Sequence, residues 1–250
     1  LALNMQNQLK TLGVEIKFRN IISISKNEDE TFNVKASNGE VYHSRFVVLA
    51  VGSKPNTLDI YNEQKYLGRG ISYCATCDAN FFEDFEVFVV GGGDSAVEEA
   101  MYLTKFARKV TVIHRRDELR AAKSIQEKAF KNEKLFFMWD TVVEEVGGDD
   151  ILSEMTVKNV KTGELTKIEA DEDDGMFGVF GFIGTIPNSK LFEGIIDMDE
   201  RGYIKADENM NTNIPGVYAA GDVRVKSLRQ VVTAAADGAI AATQVERGIS

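Results

Sequence analysis

The sequence has few of the residues on which several classes of protein depend. Its 250 residues include only two cysteines and two histidines. Two cysteines that lie close together cannot form the set of disulfides that holds a small secreted domain together. No run of apolar residues approaches the roughly 20 that a membrane-spanning helix requires, and no export signal is visible at the start of the chain. We therefore predict a cytoplasmic protein that is neither inserted into a membrane nor exported.

Basic residues are also too few for a protein that binds nucleic acid. The chain has 29 Lys and Arg residues against 39 Asp and Glu residues, which gives a net charge of −10. A surface of this sign repels the phosphates of DNA and RNA. Hydrophobic residues make up 44% of the chain and charged residues 27%, which are the proportions of a globular protein with a buried core. We expect a globular protein without a nucleic-acid partner.

Both cysteines lie in one short segment, Cys-Ala-Thr-Cys-Asp at residues 74–78. A zinc site needs four ligands, and the only histidines, His43 and His114, lie far away along the chain. A structural disulfide across so short a loop would stabilise the fold little, because the entropic gain grows with loop length. The spacing instead favours a reversible redox pair formed by Cys74 and Cys77. We predict no metal site.

Asp78 follows the second cysteine directly. A carboxyl group at that position can pass a proton to or from a leaving thiolate. An aspartate there can equally serve as a turn or helix-capping residue. The sequence leaves both roles open.

A glycine-rich turn at residues 91–96 follows a predicted buried strand and precedes a predicted helix, with a second strand about 20 residues further on. This context is typical of a dinucleotide-binding turn. Gly91 permits the tight turn, Gly93 lets the backbone approach a pyrophosphate, and Ala96 keeps the helix close to the sheet. The helix start at Asp94 and Ser95 would face the phosphate charge.

Basic residues stand where an NAD-binding protein would place an acidic one. The second strand of the predicted βαβ unit ends in His114, Arg115 and Arg116, and Arg120 follows a few residues later. Guanidinium groups grip a 2′-phosphate through charge-assisted hydrogen bonds. The sequence therefore favours NADPH over NADH, the alternative being a basic surface patch on an acidic protein.

Hydrophobic periodicity divides the chain into a central βαβ block and two flanking segments. The block is predicted to contain strands and helices at 87–90, 94–106, 110–114 and about 118–131, followed by β-rich stretches at 135–139, 151–160 and 177–183. The flanks are predicted to contain an opening helix stopped by Gly13, strands at 14–25, 31–36, 41–51 and 217–220, and a final helix that ends near Arg247. One domain inserted into another is the natural interpretation.

With these motifs in this order and spacing, the sequence resembles the low-molecular-weight thioredoxin reductases of the bacterial type. The similarity extends to Val-Leu-Ala-Val-Gly at 48–52, to Ile-Gly-x-x-Pro-Asn at 183–188, and to a segment at 212–222 that resembles a C-terminal FAD motif. It covers essentially all 250 residues.

The resemblance implies an α/β fold with two Rossmann-like nucleotide-binding domains. The NADPH-binding domain, residues 56–188, would carry the redox-active cysteines. It would be inserted into an FAD-binding domain made of residues 1–55 and 189–250. That FAD domain would be truncated at its N-terminus, since no strand, glycine turn and helix precede Leu1. The family also implies a homodimer.

The resemblance further implies that electrons pass from NADPH to FAD, then to the cysteine pair, and then to thioredoxin or a similar small disulfide protein. Cys77 would face the flavin, Cys74 would attack the disulfide of thioredoxin, and Asp78 would be the acid–base group. The residues implied to bind cofactors are Arg115, Arg116 and Arg120 at the 2′-phosphate of NADPH, Gly221 and Asp222 at the ribityl chain of FAD, and Arg229, Gln230 and Val231 at the flavin pyrimidine.

Two features depart from the family pattern. Ala79 replaces the glycine that usually follows the Cys-Ala-Thr-Cys-Asp run, a change that restricts the backbone without stopping the chemistry. Gly178 and Gly181 lie inside the predicted strand at 177–183, where glycine normally weakens pairing.

The lack of a first FAD half-site leads to a further expectation. We interpret the chain, which begins with Leu1, as a truncated or processed product that purifies colourless, retains NADPH and does not reduce thioredoxin. Two alternatives to a thioredoxin reductase stay open. One is a related flavoprotein that reduces a peroxiredoxin or another small disulfide protein. The other is a non-catalytic fragment that binds NADPH but not FAD.

Overall fold

A computed structural model describes residues 2–249, and these fall into two compact units. The first unit contains the residues up to Lys54 and those from Ile186 onward, and the second contains Pro55–Thr185. The division predicted from the sequence, 56–188 inserted between 1–55 and 189–250, has its boundaries close to these positions. Which nucleotide each unit binds stays a prediction.

The strands, in chain order, are β1 (Ile21–Lys26), β2 (Phe32–Ala36), β3 (Val41–Ser44), β4 (Val47–Leu49), β5 (Ser53–Pro55), β6 (Ile71–Ser72), β7 (Glu86–Val90), β8 (Lys109–Ile113), β9 (Leu135–Met138), β10 (Thr141–Gly147), β11 (Glu154–Asn159), β12 (Leu165–Glu169), β13 (Gly178–Gly181), β14 (Thr185–Pro187) and β15 (Val217–Ala219). The α-helices are α1 (Ala2–Thr11), α2 (Glu63–Tyr66), α3 (Ala75–Asp78), α4 (Asp94–Leu103), α5 (Lys123–Ala129) and α6 (Val231–Ile249). Short 3₁₀ turns cover Ala79–Phe82, Lys190–Phe192 and Gly221–Val223.

A five-stranded parallel sheet in the order β6-β13-β7-β8-β9 forms the centre of the second unit. Strands β7 and β8 are buried along nearly their whole length, as continuous apolar runs are in a parallel sheet covered on both faces. The order β7, α4, β8, α5, β9 confirms the predicted βαβ block. The carboxyl ends of β7, β8 and β13 therefore meet at one edge of the sheet, where open α/β folds bind ligands.

Helix α4 packs on this sheet through the apolar stripe that its sequence predicts. Ala96, Val97, Ala100 and Leu103 are all buried in one core cluster. The helix ends at Leu103 and not at the predicted residue 106. The N–H groups of Lys105 and Phe106 donate to carbonyls three residues back, so the chain tightens into a turn of the 3₁₀ kind.

The second predicted helix, 118–131, is wrong over its first part, because α5 begins only at Lys123. The N–H groups of Arg120 and of the next residue both donate to the carbonyl of Gly92, at 2.7 and 3.1 Å. The N–H of the residue after that donates to Oδ1 of Asp94 at 2.7 Å. These three donors hold residues 120–122 against the glycine turn, so they are not available to form a helix.

An antiparallel sheet of β10, β11 and β12 completes the second unit. The predicted strand at 151–160 corresponds to β11, whereas β10 and β12 escaped sequence analysis. Strand β10 has a register shift between Val143 and Glu145, which interrupts the alternation of its buried side chains. Strand β12 is almost entirely exposed. Neither strand has the period-two pattern by which strands are recognised.

In the first unit, β1, β2 and β3 form an antiparallel sheet, while β4 pairs in parallel with β15. The single strand predicted at 41–51 is therefore wrong, since β3 and β4 belong to different sheets. The Ser44 hydroxyl donates to the Phe46 carbonyl at 2.5 Å and accepts the Phe46 N–H at 3.3 Å, which stabilises the bend between them. The predicted strand at 14–25 is correct only from Ile21 onward.

The chain passes between the two units through β5 and β14, and these two strands pair with each other. The opening helix is confirmed as α1, and Gly13, just beyond it, has a φ of +71°. No helix within residues 2–249 is long and apolar enough to cross a membrane.

The two glycines of β13 make room for aromatic rings. A Cβ atom added at Gly178 would lie 2.8 Å from the ring of Phe82, and one added at Gly181 would lie 2.4 Å from the ring of Tyr73. The Tyr73 ring has little freedom to move, because its hydroxyl donates to the Glu63 carboxylate and accepts the N–H of Leu58 at 2.8 Å. These close approaches explain why a strand in the middle of the sheet contains glycine.

We expect Gly181→Ala to destabilise the second unit by about 1–3 kcal/mol, because the added methyl group overlaps the Tyr73 ring. The free energy of unfolding measured by urea titration tests this. The same substitution in a Tyr73→Ala background is the control, since the ring is then absent and the loss should largely disappear. An equal loss in both backgrounds would show that the ring is not the cause.

Candidate functional site

The two cysteines form a disulfide at the start of α3. Strand β6 ends just before Cys74, which is the N-cap residue of that short helix, and the Cα atoms of Cys74 and Cys77 lie 5.3 Å apart. Cys74 is half-buried and Cys77 is exposed. A disulfide at the surface is accessible to a reaction partner, which agrees with the redox pair predicted from the spacing.

Asp78 is held beside the disulfide by Ser72. The buried Ser72 hydroxyl donates to Oδ2 of Asp78 at 2.6 Å and accepts the N–H of Cys74 at 3.1 Å. Asp78 is the N-cap residue of the following 3₁₀ turn, but its side chain makes no capping hydrogen bond. The structure thus shows no capping hydrogen bond from the Asp78 side chain, and the acid–base role stays a prediction.

A surface that the sequence motifs do not predict lies beside Asp78. A cavity of about 620 Å³ is lined by Ser72, Asp78, Arg69 and Phe81, among others. The Phe81 side chain is 72% exposed, whereas its neighbour Phe82 is buried. The sequence signal for this surface is the pair Phe81 and Phe82 shortly after the redox motif. Only one of two adjacent side chains on such a turn can face the core, so the other is exposed. An exposed phenylalanine beside a reactive disulfide indicates a contact surface for another molecule.

A second cavity, of about 320 Å³, opens at the carboxyl edge of the parallel sheet, between the glycine turn and the ends of β8 and β13. At this cavity the backbone of the glycine turn has close neighbours on both sides. A Cβ atom at Gly91 would lie 2.5 Å from the carbonyl oxygen of Phe182 and 2.7 Å from the Cβ of Ala96. The predicted need for glycine at 91 and for a small residue at 96 agrees with this geometry. Gly93 has more space around it, because a Cβ atom added there would have Arg120, at 3.9 Å, as its nearest side-chain neighbour.

Gly92 is the glycine that sequence analysis did not single out, and it is the most crowded of the three. A Cβ atom there would lie 2.3 Å from the imidazole ring of His114. His114 is only 5% exposed, lines the cavity, and its Nε2 has no hydrogen-bond partner within residues 2–249. Burial, together with the positive charges of Arg120 and Arg116, lowers the pKa of His114. The ring is therefore neutral at pH 7 and presents an unpaired polar atom to the cavity.

The arginine cluster is only partly assembled at this cavity. Arg115 and Arg120 line it, whereas Arg116 does not. All three side chains are exposed. The helix start at Asp94 and Ser95 is exposed beside the glycine turn, and its phosphate-binding role stays a prediction. Two arginines thus make the opening of the cavity positively charged, and this opening lies next to the glycine turn.

The remaining predicted site residues lie in the first unit. Gly221 begins the 3₁₀ turn that contains Asp222, and Oδ1 of Asp222 is buried without a hydrogen-bond partner within residues 2–249. The Arg229 guanidinium lies 4.0 Å from the centre of the Tyr203 ring, and its Nε donates to the Asp222 carbonyl at 3.4 Å. Helix α6 begins at Val231, directly after Gln230 and slightly later than expected.

The chain matches the sequence profile of the pyridine nucleotide-disulphide oxidoreductases over residues 2–238. It is 58% identical to a thioredoxin reductase of Peptoclostridium litorale over 245 residues, which cover 98% of this chain and 77% of that protein. A thioredoxin reductase of Listeria innocua is 42% identical over 97% of this chain and 74% of its own length. The crystal structure of thioredoxin reductase from Streptococcus pyogenes superposes with a TM-score of 0.91 at 44% identity, covering 98% of this chain and 78% of that one.

These similarities define the class of protein. The chain belongs to the pyridine nucleotide-disulphide oxidoreductase family and, within it, to the thioredoxin reductases. The family named from the sequence motifs is confirmed, and so is the α/β fold with two Rossmann-like domains. Thioredoxin reductases use FAD and NADPH, so both cofactors expected from the resemblance are those of the family.

We expect Arg115→Ala/Arg120→Ala to weaken NADPH binding by about tenfold or more, because each lost charge-assisted hydrogen bond contributes about 1.5–3 kcal/mol. Titration calorimetry with NADPH and NADH measures both affinities, and that for NADH should hardly change.

The matched comparison is Arg116→Ala, an arginine outside the cavity, which should weaken NADPH binding much less. Unchanged NADPH affinity in the double variant, or an equal loss with both cofactors, would contradict a 2′-phosphate site at this cavity.

Proposed function

We propose that the protein transfers electrons from NADPH through FAD and the Cys74/Cys77 pair to the disulfide of thioredoxin. The observation that carries this proposal is the surface disulfide, with Asp78 held beside it, in the same unit as a glycine-turn cavity with a basic mouth. The names of the most similar relatives and the structural match support the choice of thioredoxin.

The proposed NADPH site is the cavity at the glycine turn. Its fit rests on the buried, unpaired Nε2 of His114, which lacks a polar partner that a bound nucleotide can supply. Backbone N–H groups at the start of α4, near Asp94 and Ser95, favour the pyrophosphate charge. Arg115 and Arg120 are the proposed ligands of the 2′-phosphate. Arg116 would stabilise that charge only from a distance.

The proposed flavin site lies in the first unit. Its fit rests on Asp222, because a buried carboxylate oxygen without a partner suits a hydroxyl group such as those of a ribityl chain. Gly221, which has no side chain, would let the backbone of the same turn approach the bound flavin. Arg229, Gln230 and Val231 lead into α6, whose N-terminal end favours negative charge. Held by these residues, FAD would supply the two-electron chemistry that links the hydride of NADPH to the disulfide.

The proposed reaction at the cysteines conserves both electrons and protons. Two electrons and two protons convert the Cys74–Cys77 disulfide to two thiols. Cys74 then loses a proton and attacks a sulfur of the thioredoxin disulfide, which forms a mixed disulfide and releases one thioredoxin thiolate. Cys77 attacks Cys74 Sγ, so that the original disulfide forms again and the second thioredoxin thiolate leaves. Asp78 is the proposed group that takes up and returns protons at these sulfurs.

Exposed side chains beside the disulfide support a protein substrate. Phe81 presents an aromatic face and Arg69 a positive charge around the cavity next to Asp78, and both residue types are enriched at protein interfaces. A small disulfide protein can cover this surface while its own disulfide reaches Cys74. We extend the proposal to a homodimer that works in the cytoplasm, with thioredoxin as the partner.

Exposure alone does not identify the attacking cysteine, since Cys77 is the more exposed of the two. We expect Cys77→Ser to accumulate a mixed disulfide with thioredoxin through Cys74, because no resolving thiol remains in the enzyme. Cys74→Ser should trap much less. Mass spectrometry of the thiol-blocked reaction mixture measures the trapped species, and the double variant Cys74→Ser/Cys77→Ser is the control that should trap none.

Equal trapping by the two single variants would reverse or remove the division of roles between the cysteines. Absence of any thioredoxin adduct with either variant would argue against thioredoxin as the substrate.

A further inference from the structure

The first unit contains a buried carboxylate that the proposed reaction does not use. Asp237, in the second turn of α6, is only 5% exposed. Its Oδ2 accepts hydrogen bonds from the Gly221 N–H at 2.9 Å, from Nε of Arg224 at 2.8 Å and from Nζ of Lys226 at 2.7 Å. Its Oδ1 accepts a second bond from Arg224, at 2.9 Å from Nη2. All the donors belong to one short segment, residues 221–226.

These bonds are strong because the whole cluster is shielded from water. The side chains of Arg224 and Lys226 are 16% and 7% exposed. Burial by itself would raise the pKa of Asp237, but the hydrogen bonds from Arg224, Lys226 and the Gly221 backbone hold that pKa well below its ordinary value. The carboxylate is therefore charged throughout the physiological pH range, and removing it would leave two buried cations without their partner.

The segment that Asp237 holds contains Asp222. Gly221, whose N–H bonds directly to Asp237, is the residue before Asp222, and Arg224 follows two residues after it. From the other side, Arg229 lies over the Tyr203 ring and donates to the Asp222 carbonyl. The backbone on both sides of Asp222 is thus fixed, while its own Oδ1 is left without a partner.

Asp237 has little capacity to bind a ligand itself, since four donors of its own chain already surround its two oxygens. We propose that Asp237 is a positioning residue for the flavin. It holds the 221–226 segment on α6 and so keeps the Asp222 carboxylate in the orientation in which it accepts a ribityl hydroxyl. This inference rests on the proposed flavin role of Asp222.

The test compares FAD binding by variants of the protein, each freed of any bound flavin before the titration. We expect Asp237→Asn to raise the dissociation constant of FAD by about tenfold or more, measured by quenching of flavin fluorescence on titration. It should also change the visible circular dichroism of the bound flavin, because that signal reports the orientation of groups around the chromophore. Glu208→Gln, an exposed carboxylate-to-amide change in the same unit, is the matched control and should change neither signal.

A role confined to stability predicts a different result. It would lower the melting temperature of the flavin-free protein while leaving the FAD affinity and the flavin dichroism of the folded protein unchanged, and that result would overturn the inference. If Asp237→Asn does not fold, Lys226→Met replaces it. That variant removes one donor and leaves the Asp237–Arg224 pair intact, so it should weaken FAD binding in the same direction by a smaller factor, and unchanged FAD binding would again overturn the inference.

Asp222→Ala separates this inference from the proposed flavin site. If Asp222→Ala weakens FAD binding and the Asp237 variant does not, only the positioning role is wrong. If Asp222→Ala leaves FAD binding unchanged, the proposed flavin role of the turn is wrong and the inference about Asp237 falls with it.

Discussion

The close approach of backbone to its neighbours at the glycine turn is the constraint on which the second unit depends. The turn is enclosed by the ends of β8 and β13, so a single methyl group at Gly91 or Gly92 would overlap a carbonyl oxygen or the His114 ring. The same turn accepts two N–H groups from the segment of Arg120 and fixes a third through Asp94. The three glycines at residues 91–93 thereby place the start of α4, the buried His114 ring and Arg120 around one cavity.

The redox pair is tied to this arrangement through the sheet. Strand β6, which leads into Cys74, pairs with β13, and β13 pairs with β7, which leads into the glycine turn. The Tyr73 ring lies over Gly181, and its hydroxyl donates to the Glu63 carboxylate and accepts the N–H of Leu58, a residue that lines the cavity at the glycine turn. Burial and the bond to Glu63 raise the pKa of Tyr73, so the hydroxyl keeps its proton. The disulfide and the cavity wall are thus connected through paired strands and the contacts of the Tyr73 ring.

The sequence predicts what local chemistry determines. The redox spacing, the need for a bare turn at Gly91 and the apolar stripe of α4 follow from residue type and period, and all are present in the structure. Features set by contacts distant in sequence were not predictable. The closeness of Gly92 to His114, the late start of α5 and the position of Arg116 outside the cavity each depend on how separate segments meet. The exposure of Phe81 depends on which of two adjacent rings the core accepts.

Different interactions hold the proposed cofactor-binding turns of the two units in place. These interactions therefore respond differently to changes of pH. At residues 91–93 the backbone is fixed by steric fit against the neutral His114 ring and by hydrogen bonds that include one to the Asp94 carboxylate. Because the pKa of His114 in the folded protein is lowered, the contribution of its neutral ring is complete above about pH 6.5, the ordinary value of a histidine in the unfolded chain, and is lost as the pH falls. At residues 221–226 the backbone is fixed by the charge on Asp237. Because the pKa of Asp237 in the folded protein is lowered, this contribution is complete above about pH 4, the ordinary value of an aspartate in the unfolded chain, and is lost as the pH falls through the lower folded value. Acid should therefore disturb the glycine turn first, through protonation of the buried His114 ring, and the Asp222 turn should loosen only at a lower pH, so a bound nucleotide should be released before the flavin.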